Sequence, residues 1–279
     1  MLVLPKVEPR GMLNSKNRFF FFFLGFVFVL SGCQHAFAYR PFDSTDAAVA
    51  DLGELEIEFG PAGYRRNGSE RTLIAPAYVF NYGFAKNWEL VVEGRGEHPL
   101  APAEDTRSRL LGNTVFLKGV LQEGVLQGKS GPSVATEFGV LLPGVNDEQG
   151  FGASWLGIVS QRWSWGTMHF NVGAELTREQ HGDVSVGTII EGPFDWTIRP
   201  VAEVRYESEF NTRTTFSGLV GLIWKASDKL SFDVGLRHAW ITNEIDNSHQ
   251  HETEIRAGLT FAFSPEKEAA QRLSRSFQH

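Results

Sequence analysis

Two histidine-containing stretches are the first candidates for chemistry in this sequence. His169 alternates with Asn171 and then Glu175 along an apolar run, so an imidazole and a carboxylate share one face of the chain. Such a pair could serve acid–base catalysis in a hydrolase, or it could belong to a network of charges. No Gly-x-Ser-x-Gly turn is present to supply a nucleophile. We favour the charge network, and we predict that the protein is not an enzyme.

The second stretch is His249-Gln250-His251, which lies between Asp246 and Glu252. These residue types can ligate metals, but their spacing matches no established ligand pattern. We interpret the stretch as the polar surface of a loop. The chain also lacks a phosphate-binding loop and a nucleotide-binding fingerprint. We therefore predict no catalytic residues, no metal site and no cofactor.

Charged side chains recur at every second position within apolar runs, which is the periodicity of a strand. In a soluble sandwich such charges would face water, whereas in a membrane barrel the apolar face meets lipid and the charges line the lumen. We favour the barrel. The residues predicted to line its lumen are Glu56, Glu89, Glu93, Lys118, Glu137, His169, Glu175, Arg199, Glu203, Arg205, Asp233, Arg237 and Arg256.

The stretch Thr253–Phe263 shows this periodicity most clearly. Ile255 and every second residue up to Phe263 are apolar, while Glu254 and Arg256 fall on the other face. Similar runs recur about twelve times from Leu52 onward, and a closed bacterial barrel needs an even number of strands. The predicted fold class is therefore all-β: a transmembrane antiparallel up-and-down β-barrel of about 12 strands. We expect the last strand to pair with the first, where Arg256 would offset an acidic row. That row consists of Glu54, Glu56 and Glu58.

The connections and the tryptophans favour a membrane barrel over a sandwich. Tight connections, such as Gly83–Asn87, alternate with longer ones, such as Pro61–Arg71 and Ile241–Glu252. Gln122–Pro132 is an exception, because it is long where a tight turn is due. All seven tryptophans fall at or near predicted strand ends, as aromatic girdles at two membrane interfaces require. They are Trp88, Trp155, Trp163, Trp165, Trp196, Trp224 and Trp240.

The start of the chain has the pattern of an export signal. Two basic residues precede the apolar run Phe19–Leu30, and Ala36-Phe37-Ala38 fits a cleavage site. The run is shorter than the roughly 20 residues that a membrane-spanning helix needs. A lipoprotein box is also resembled by Leu30-Ser31-Gly32-Cys33, so lipidation at Cys33 is an alternative. We favour cleavage after Ala38. The domains predicted are a signal peptide (1–38), an outer-membrane barrel (39–263) and a polar periplasmic tail (264–279).

Charge excludes one class of partner. Residues 39–279 hold 22 basic and 32 acidic residues. No basic cluster interrupts this acidic balance, which argues against nucleic-acid binding.

Three short stretches carry a family resemblance. They are Arg40-Pro41-Phe42-Asp43-Ser44-Thr45-Asp46-Ala47, Tyr82-Gly83-Phe84-Ala85-Lys86-Asn87-Trp88-Glu89-Leu90, and Leu141-Leu142-Pro143-Gly144 followed by Phe151-Gly152. They resemble the opening, the first tight hairpin and the middle loop of outer-membrane barrels labelled phenol-degradation meta-pathway-like transporters. The resemblance implies passage of small, often hydrophobic molecules. The chain departs from this group in the residues that follow Phe263 and in having a single acid in Thr45-Asp46-Ala47.

These patterns lead to a prediction of a Gram-negative outer-membrane channel or transporter for small molecules, hydrophobic or aromatic ones among them. Its partners would be outer-membrane lipid, the barrel-assembly machinery and the small-molecule solute. Two alternatives stay open. One is a non-conducting structural or ligand-binding barrel, and the other is an outer-membrane hydrolase that uses His169 or residues at the rim. The sequence leaves the oligomeric state open.

Overall fold

A computed structural model describes residues 41–100 and 107–264 and shows twelve antiparallel strands closed into a barrel. The strands are β1 Leu55–Asn67, β2 Glu70–Ala85, β3 Trp88–Leu100, β4 Arg109–Gln122, β5 Ser133–Leu141, β6 Gly152–Trp163, β7 Gly166–Leu176, β8 Gly182–Glu191, β9 Ile198–Glu209, β10 Arg213–Lys225, β11 Leu230–Asn243 and β12 His249–Phe263. The predicted fold class and strand number are confirmed. The predicted signal peptide, Cys33 and residues 265–279 of the predicted tail lie outside the described residues.

Successive side chains of each strand point to opposite sides of the wall, and the inner face combines polar groups with buried apolar side chains such as Phe116, Ile158 and Ile223. On β12, Ile255 and Phe263 point outward and Thr260 points inward. Ile255 is 52% exposed, whereas Thr260 is fully buried. The outward row is the apolar surface that lipid requires. No helix within the described ranges is long and apolar enough to cross a bilayer.

Strand β12 closes the barrel against β1, as predicted. The register nevertheless separates Arg256 from the acidic row of β1. Glu58 lies opposite Thr260, whereas Arg256 lies opposite Gly63 beyond a register shift. The predicted pairing of Arg256 with the β1 glutamates is therefore wrong, and the carboxylates that it meets are those of Asp43 and Glu254.

Several strands run farther than their apolar alternation. The predicted loop Pro61–Arg71 is strand except for Gly68 and Ser69, and Ile241–Glu252 shortens to residues 244–248. Backbone pairing continues there after the apolar side chains stop, so the hydrophobic pattern misplaces the strand ends. The connection between β4 and β5 is long, as predicted, and contains a short 3-10 helix at Val125–Gln127.

The tryptophans lie on the outer surface near strand ends or in adjoining turns. Six of the seven have between 41% and 55% of their surface exposed, Trp88 being the exception. The rings of Trp163 and Trp165 stack 5.4 Å apart at the β6–β7 turn. This placement agrees with the predicted interfacial girdles.

Candidate functional site: a charged lumen and the segment that crosses it

Residues Pro41–Glu54, here called the plug segment, lie inside the barrel. Their side-chain hydrogen-bond partners come from strands on all sides, including β3, β6, β7, β9 and β12. Ala47, near the middle of the segment, is fully buried. The plug segment therefore crosses the space that the strands enclose, and it binds polar side chains of several strands there.

Asp43 anchors one end of the plug segment through two arginines. Its carboxylate accepts hydrogen bonds from Arg256 on β12 (2.8 Å) and Arg237 on β11 (2.5 Å). Burial alone would raise the pKa of the Asp43 carboxyl, but the charges of Arg256 and Arg237 outweigh burial and hold this pKa below its usual value. Glu203 on β9 binds the same end, since its two oxygens accept the backbone N–H groups of Asp43 and Ser44, each at 2.8 Å. These charge-assisted bonds are the stronger class of hydrogen bond.

The middle of the plug segment is held by neutral groups of β6 and β7. The Asn171 amide accepts the Thr45 N–H at 3.1 Å and donates to the Thr45 carbonyl at 2.8 Å. The Ser160 hydroxyl accepts the Ala47 N–H at 2.9 Å. Side chains thus satisfy backbone groups that a segment outside any sheet would otherwise bury without partners.

Lys118 on β4 links the plug segment to the acidic side chains of the wall. This lysine is fully buried, and its Nζ lies 3.3 Å from Thr45 Oγ1, 3.5 Å from Glu89 Oε1 and 3.7 Å from Asp46 Oδ1. Glu89 also accepts the Ala50 N–H through Oε2 at 2.7 Å. One buried cation is therefore shared between an acid of the wall and an acid of the plug segment.

Glycines on the inner face make room for the plug segment. A Cβ atom at Gly187 on β8 would lie 2.2 Å from Ser44 Oγ, and one at Gly235 on β11 would lie 2.8 Å from Pro41 Cβ. Any larger side chain at these positions would displace the segment. The wall is therefore shaped to receive it.

His169 belongs to a buried chain of polar groups. Its Nδ1 lies 2.8 Å from Ser160 Oγ, its Nε2 lies 3.5 Å from Glu191 Oε1, and Arg199 Nη1 lies 3.3 Å from the other Glu191 oxygen. Serine, histidine and acid are the residue types of a hydrolase triad. Ser160, however, is fully buried and its hydroxyl accepts the Ala47 N–H, so a substrate has no access to it. The arrangement supports the plug segment.

A cavity of about 680 Å³ remains beside the plug segment, and residues 42–45 form part of its lining. Twelve carboxylates and eight cationic side chains line it. The cavity-lining arginines of β1, β3, β11 and β12 are paired with carboxylates: Arg65 and Arg95 with Glu97, Arg237 with Glu252, and Arg256 with Glu254.

The wall formed by β7, β8 and β9 is richer in unpaired acid. Glu175 and Asp183 face each other across β7 and β8. Among the described residues, no cationic group lies within ion-pair distance of either carboxylate, whereas the nearby Glu207 pairs with Arg205 at 2.9 Å. The cavity thus has an excess of carboxylates on one side and paired arginines on the other.

The structure places all thirteen predicted lumen residues on the inner face of the wall. Glu203, Arg237 and Arg256 meet at Asp43, whereas Lys118 lies beside Glu89 and across from Glu137. His169 and Arg199 meet at Glu191. Glu93, Glu175 and Arg205 line the cavity, and Glu56 and Asp233 are buried nearer the termini.

The sequence reasoning missed the groups that connect these residues. In the sequence, Asp43 and Asp46 carry only a family resemblance, and Ser160 and Glu191 belong to no recognised motif. The alternation along β7 predicts Glu175, six positions along the same strand, as the acidic neighbour of His169, but its acidic partner is Glu191 on β8. The sequence signal for Ser160 and Glu191 is that each is a polar residue in an otherwise apolar run.

Comparison with solved structures shows likeness in fold at very low sequence identity. An outer-membrane channel from Pseudomonas putida F1 superposes with a TM-score of 0.56 at 9% identity, covering 80% of this chain and all of that one. The NanC porin superposes with a TM-score of 0.50 at 9% identity, covering 74% of this chain and 98% of that one. The KdgM porin in complex with disordered oligogalacturonate superposes with a TM-score of 0.49 at 13% identity, covering 75% of this chain and 99% of that one.

Sequence comparison adds no family assignment. No protein-family model matches the chain. No curated protein matches it either. The resemblance to phenol-degradation transporters therefore stays a prediction, and what the solved structures share with this chain is the barrel itself.

Proposed function

We propose that this protein is an outer-membrane channel for small hydrophilic solutes, in which the plug segment limits flow. One observation carries the proposal: a closed barrel with an apolar outer face contains a cavity of about 680 Å³ lined by charges. A charged interior and an apolar exterior are the arrangement of a water-filled channel in a membrane.

The outer membrane is the location that supports this function best. The outward tryptophans suit two interfacial girdles, and the predicted export signal would deliver the chain across the inner membrane. The P. putida protein, which has the same fold, is itself an outer-membrane channel by name. Outer-membrane lipid and the barrel-assembly machinery are the partners that this location entails.

The lining favours polar solutes over the hydrophobic or aromatic ones that the family resemblance implies. An aromatic solute in this cavity would face charged groups and would desolvate them without replacing their hydrogen bonds. Because carboxylates outnumber cationic side chains and Glu175 and Asp183 lack a paired cation, small cationic solutes fit best.

Planar-bilayer recordings on the purified full-length protein test the proposal. We expect small, cation-preferring current steps, together with recovery of the protein in the outer-membrane fraction and heat-dependent gel migration. A folded barrel that gives neither current nor solute flux would reject the channel.

A non-conducting structural barrel is the second candidate. The observation that favours it is the number of bonds that fix the plug segment, which reach from β3 around to β12. If wild-type protein is silent and removal of the plug segment does not open it, this candidate is the one retained.

Reversing the charge of Glu175 and Asp183 should change the ion selectivity of the channel. We expect the double variant Glu175→Lys/Asp183→Lys to lose the cation preference, since it places two cations on the carboxylate-rich wall. The reversal potential in a salt gradient measures this shift. Glu179→Lys/Asp195→Lys is the matched control, because both residues are exposed and neither lines the cavity. Equal shifts in the two variants would contradict a role for this wall.

A further inference from the structure

Four basic side chains share one outward-facing patch at the end of the barrel away from Leu55 and Phe263. Arg71 on β2 pairs in register with Arg66 on β1, Arg66 with Thr253 on β12, and Thr253 with His238 on β11. His251 lies two residues before Thr253 on the same face. Neighbouring strands are about 4.8 Å apart, so the row of four spans roughly 14 Å. The rim patch is defined as Arg66, Arg71, His238 and His251.

The two arginines of the rim patch have no acidic partner among the described residues. Arg66 and Arg71 are exposed and stand directly opposite each other, a placement that is unfavourable for like charges. Within the described part of the chain, neither guanidinium has a carboxylate at ion-pair distance. Arg66 Nε donates to the Gly68 carbonyl at 3.0 Å, which fixes this guanidinium at the tip of the hairpin.

The histidines of the rim patch are held by their neighbours. His238 Nδ1 lies 2.8 Å from Thr253 Oγ1, and its ring stacks on that of His251 with centroids 5.8 Å apart. The Trp240 ring meets His238 edge-on at 4.6 Å. The patch is therefore an ordered surface, with an aromatic residue of the kind that marks a membrane interface beside it.

On β2, β1 and β12 the rim patch begins where the apolar outer surface ends, whereas on β11 the exposed Trp240 lies one outward position beyond His238. The next outward row toward the termini consists of Leu73, Tyr64, Ile255 and Leu236. Ile255 and Leu236 are 52% and 47% exposed. Basic groups directly beyond a lipid-facing row lie at the depth of lipid headgroups. Guanidinium groups bind phosphate oxygens through paired hydrogen bonds.

We propose that the rim patch binds phosphate groups of lipopolysaccharide in the outer leaflet. The inference rests on the proposed outer-membrane location, with Leu55 of β1 and Phe263 of β12 at the periplasmic end. An anionic headgroup there would offset the repulsion between the like charges of Arg66 and Arg71. It would also lie within reach of the two histidines.

Binding of purified full-length protein to lipopolysaccharide, to dephosphorylated lipopolysaccharide and to inorganic phosphate tests the proposal. We expect Arg66→Gln/Arg71→Gln to weaken binding of intact lipopolysaccharide about tenfold or more, because it removes two charge-assisted contacts. Wild type should bind the dephosphorylated lipid as weakly as the variant binds the intact lipid. Lys86→Gln/Lys129→Gln, which removes two charges at the opposite end, should bind like wild type.

Three results would overturn the proposal: equal loss in the control variant, equal binding of dephosphorylated lipid, or competition by inorganic phosphate at concentrations comparable to those of the lipid. Conductance recorded on the same preparations separates this inference from the channel itself. Normal currents without phosphate-dependent lipid binding reject only the rim patch. Phosphate-dependent binding by a barrel that never conducts rejects only the channel.

Discussion

Deletion of residues 41–50 is expected to raise the single-channel conductance severalfold. These residues occupy the lumen but contribute no strand, since β1 begins at Leu55 and the ring is closed by β1 and β12. The wall should therefore remain intact while the cross-section available to water and ions increases. Planar-bilayer recordings on the deletion variant and wild type measure the change.

A matched deletion of residues 268–277 controls for chain shortening, because it removes the same number of residues beyond the last strand. It should leave the conductance at the wild-type value. The point variant Glu203→Ala should give an intermediate increase, since it removes both acceptors for the Asp43 and Ser44 N–H groups. If the deletion variant folds, as judged by heat-dependent migration, but conducts like wild type, then the plug segment does not limit flow.

The wall of this barrel could be predicted from sequence because lipid and lumen impose opposite polarity on successive residues. Ile255 and Arg256 illustrate it: one is half exposed on the outside and the other is bonded to Asp43 on the inside. The same rule fails beyond the apolar row. Arg66 and Arg71 lie in paired strands, but the stretch from Pro61 to Arg71 lacks apolar alternation, so its sequence predicts a loop.

The plug segment could not be predicted, for two physical reasons. It has no periodicity, since its groups bond to irregularly spaced partners and not to a neighbouring strand. Those partners are also far away in sequence: Asp43 and Glu203 are 160 residues apart, and Thr45 and Asn171 are 126 apart. A short polar segment that is satisfied only by the assembled barrel has no local signature of its own.

The plug segment also explains the composition of the lumen. Without Asp43, the like charges of Arg237 and Arg256 would repel each other. Without the backbone N–H groups of Asp43 and Ser44, the buried carboxylate of Glu203 would lose two hydrogen-bond donors. Some of the charged residues that the sequence predicts to line the lumen therefore bind the plug segment. Glu175 and Asp183 lie outside these ion pairs, and under the proposed function they are the carboxylates available to a solute.

Replacing Lys118 with methionine is expected to lower the free energy of unfolding by about 3–5 kcal/mol, the usual effect of leaving a buried charge without its partner. Lys118 is fully buried, and its ammonium group lies near the carboxylates of Glu89 and Asp46. Methionine fills a similar volume but leaves both acids uncompensated. Urea titration of the refolded barrel in lipid vesicles, followed by tryptophan fluorescence, measures the change.

Three further variants, Glu89→Gln alone, Glu89→Gln with Lys118→Met, and Lys86→Met, separate the loss of charge pairing from the loss of packing. Adding Glu89→Gln to Lys118→Met should recover part of the stability, because it removes one of the carboxylates that the lysine compensates. The double-mutant cycle then gives a coupling energy between the two sites. Lys86→Met is the matched control, since the Lys86 side chain is 81% exposed in a turn and its ion pair with Glu123 should contribute little. A Lys118→Met effect no larger than that of Lys86→Met, or a cycle with no coupling, would show that the plug segment is held without this buried cation.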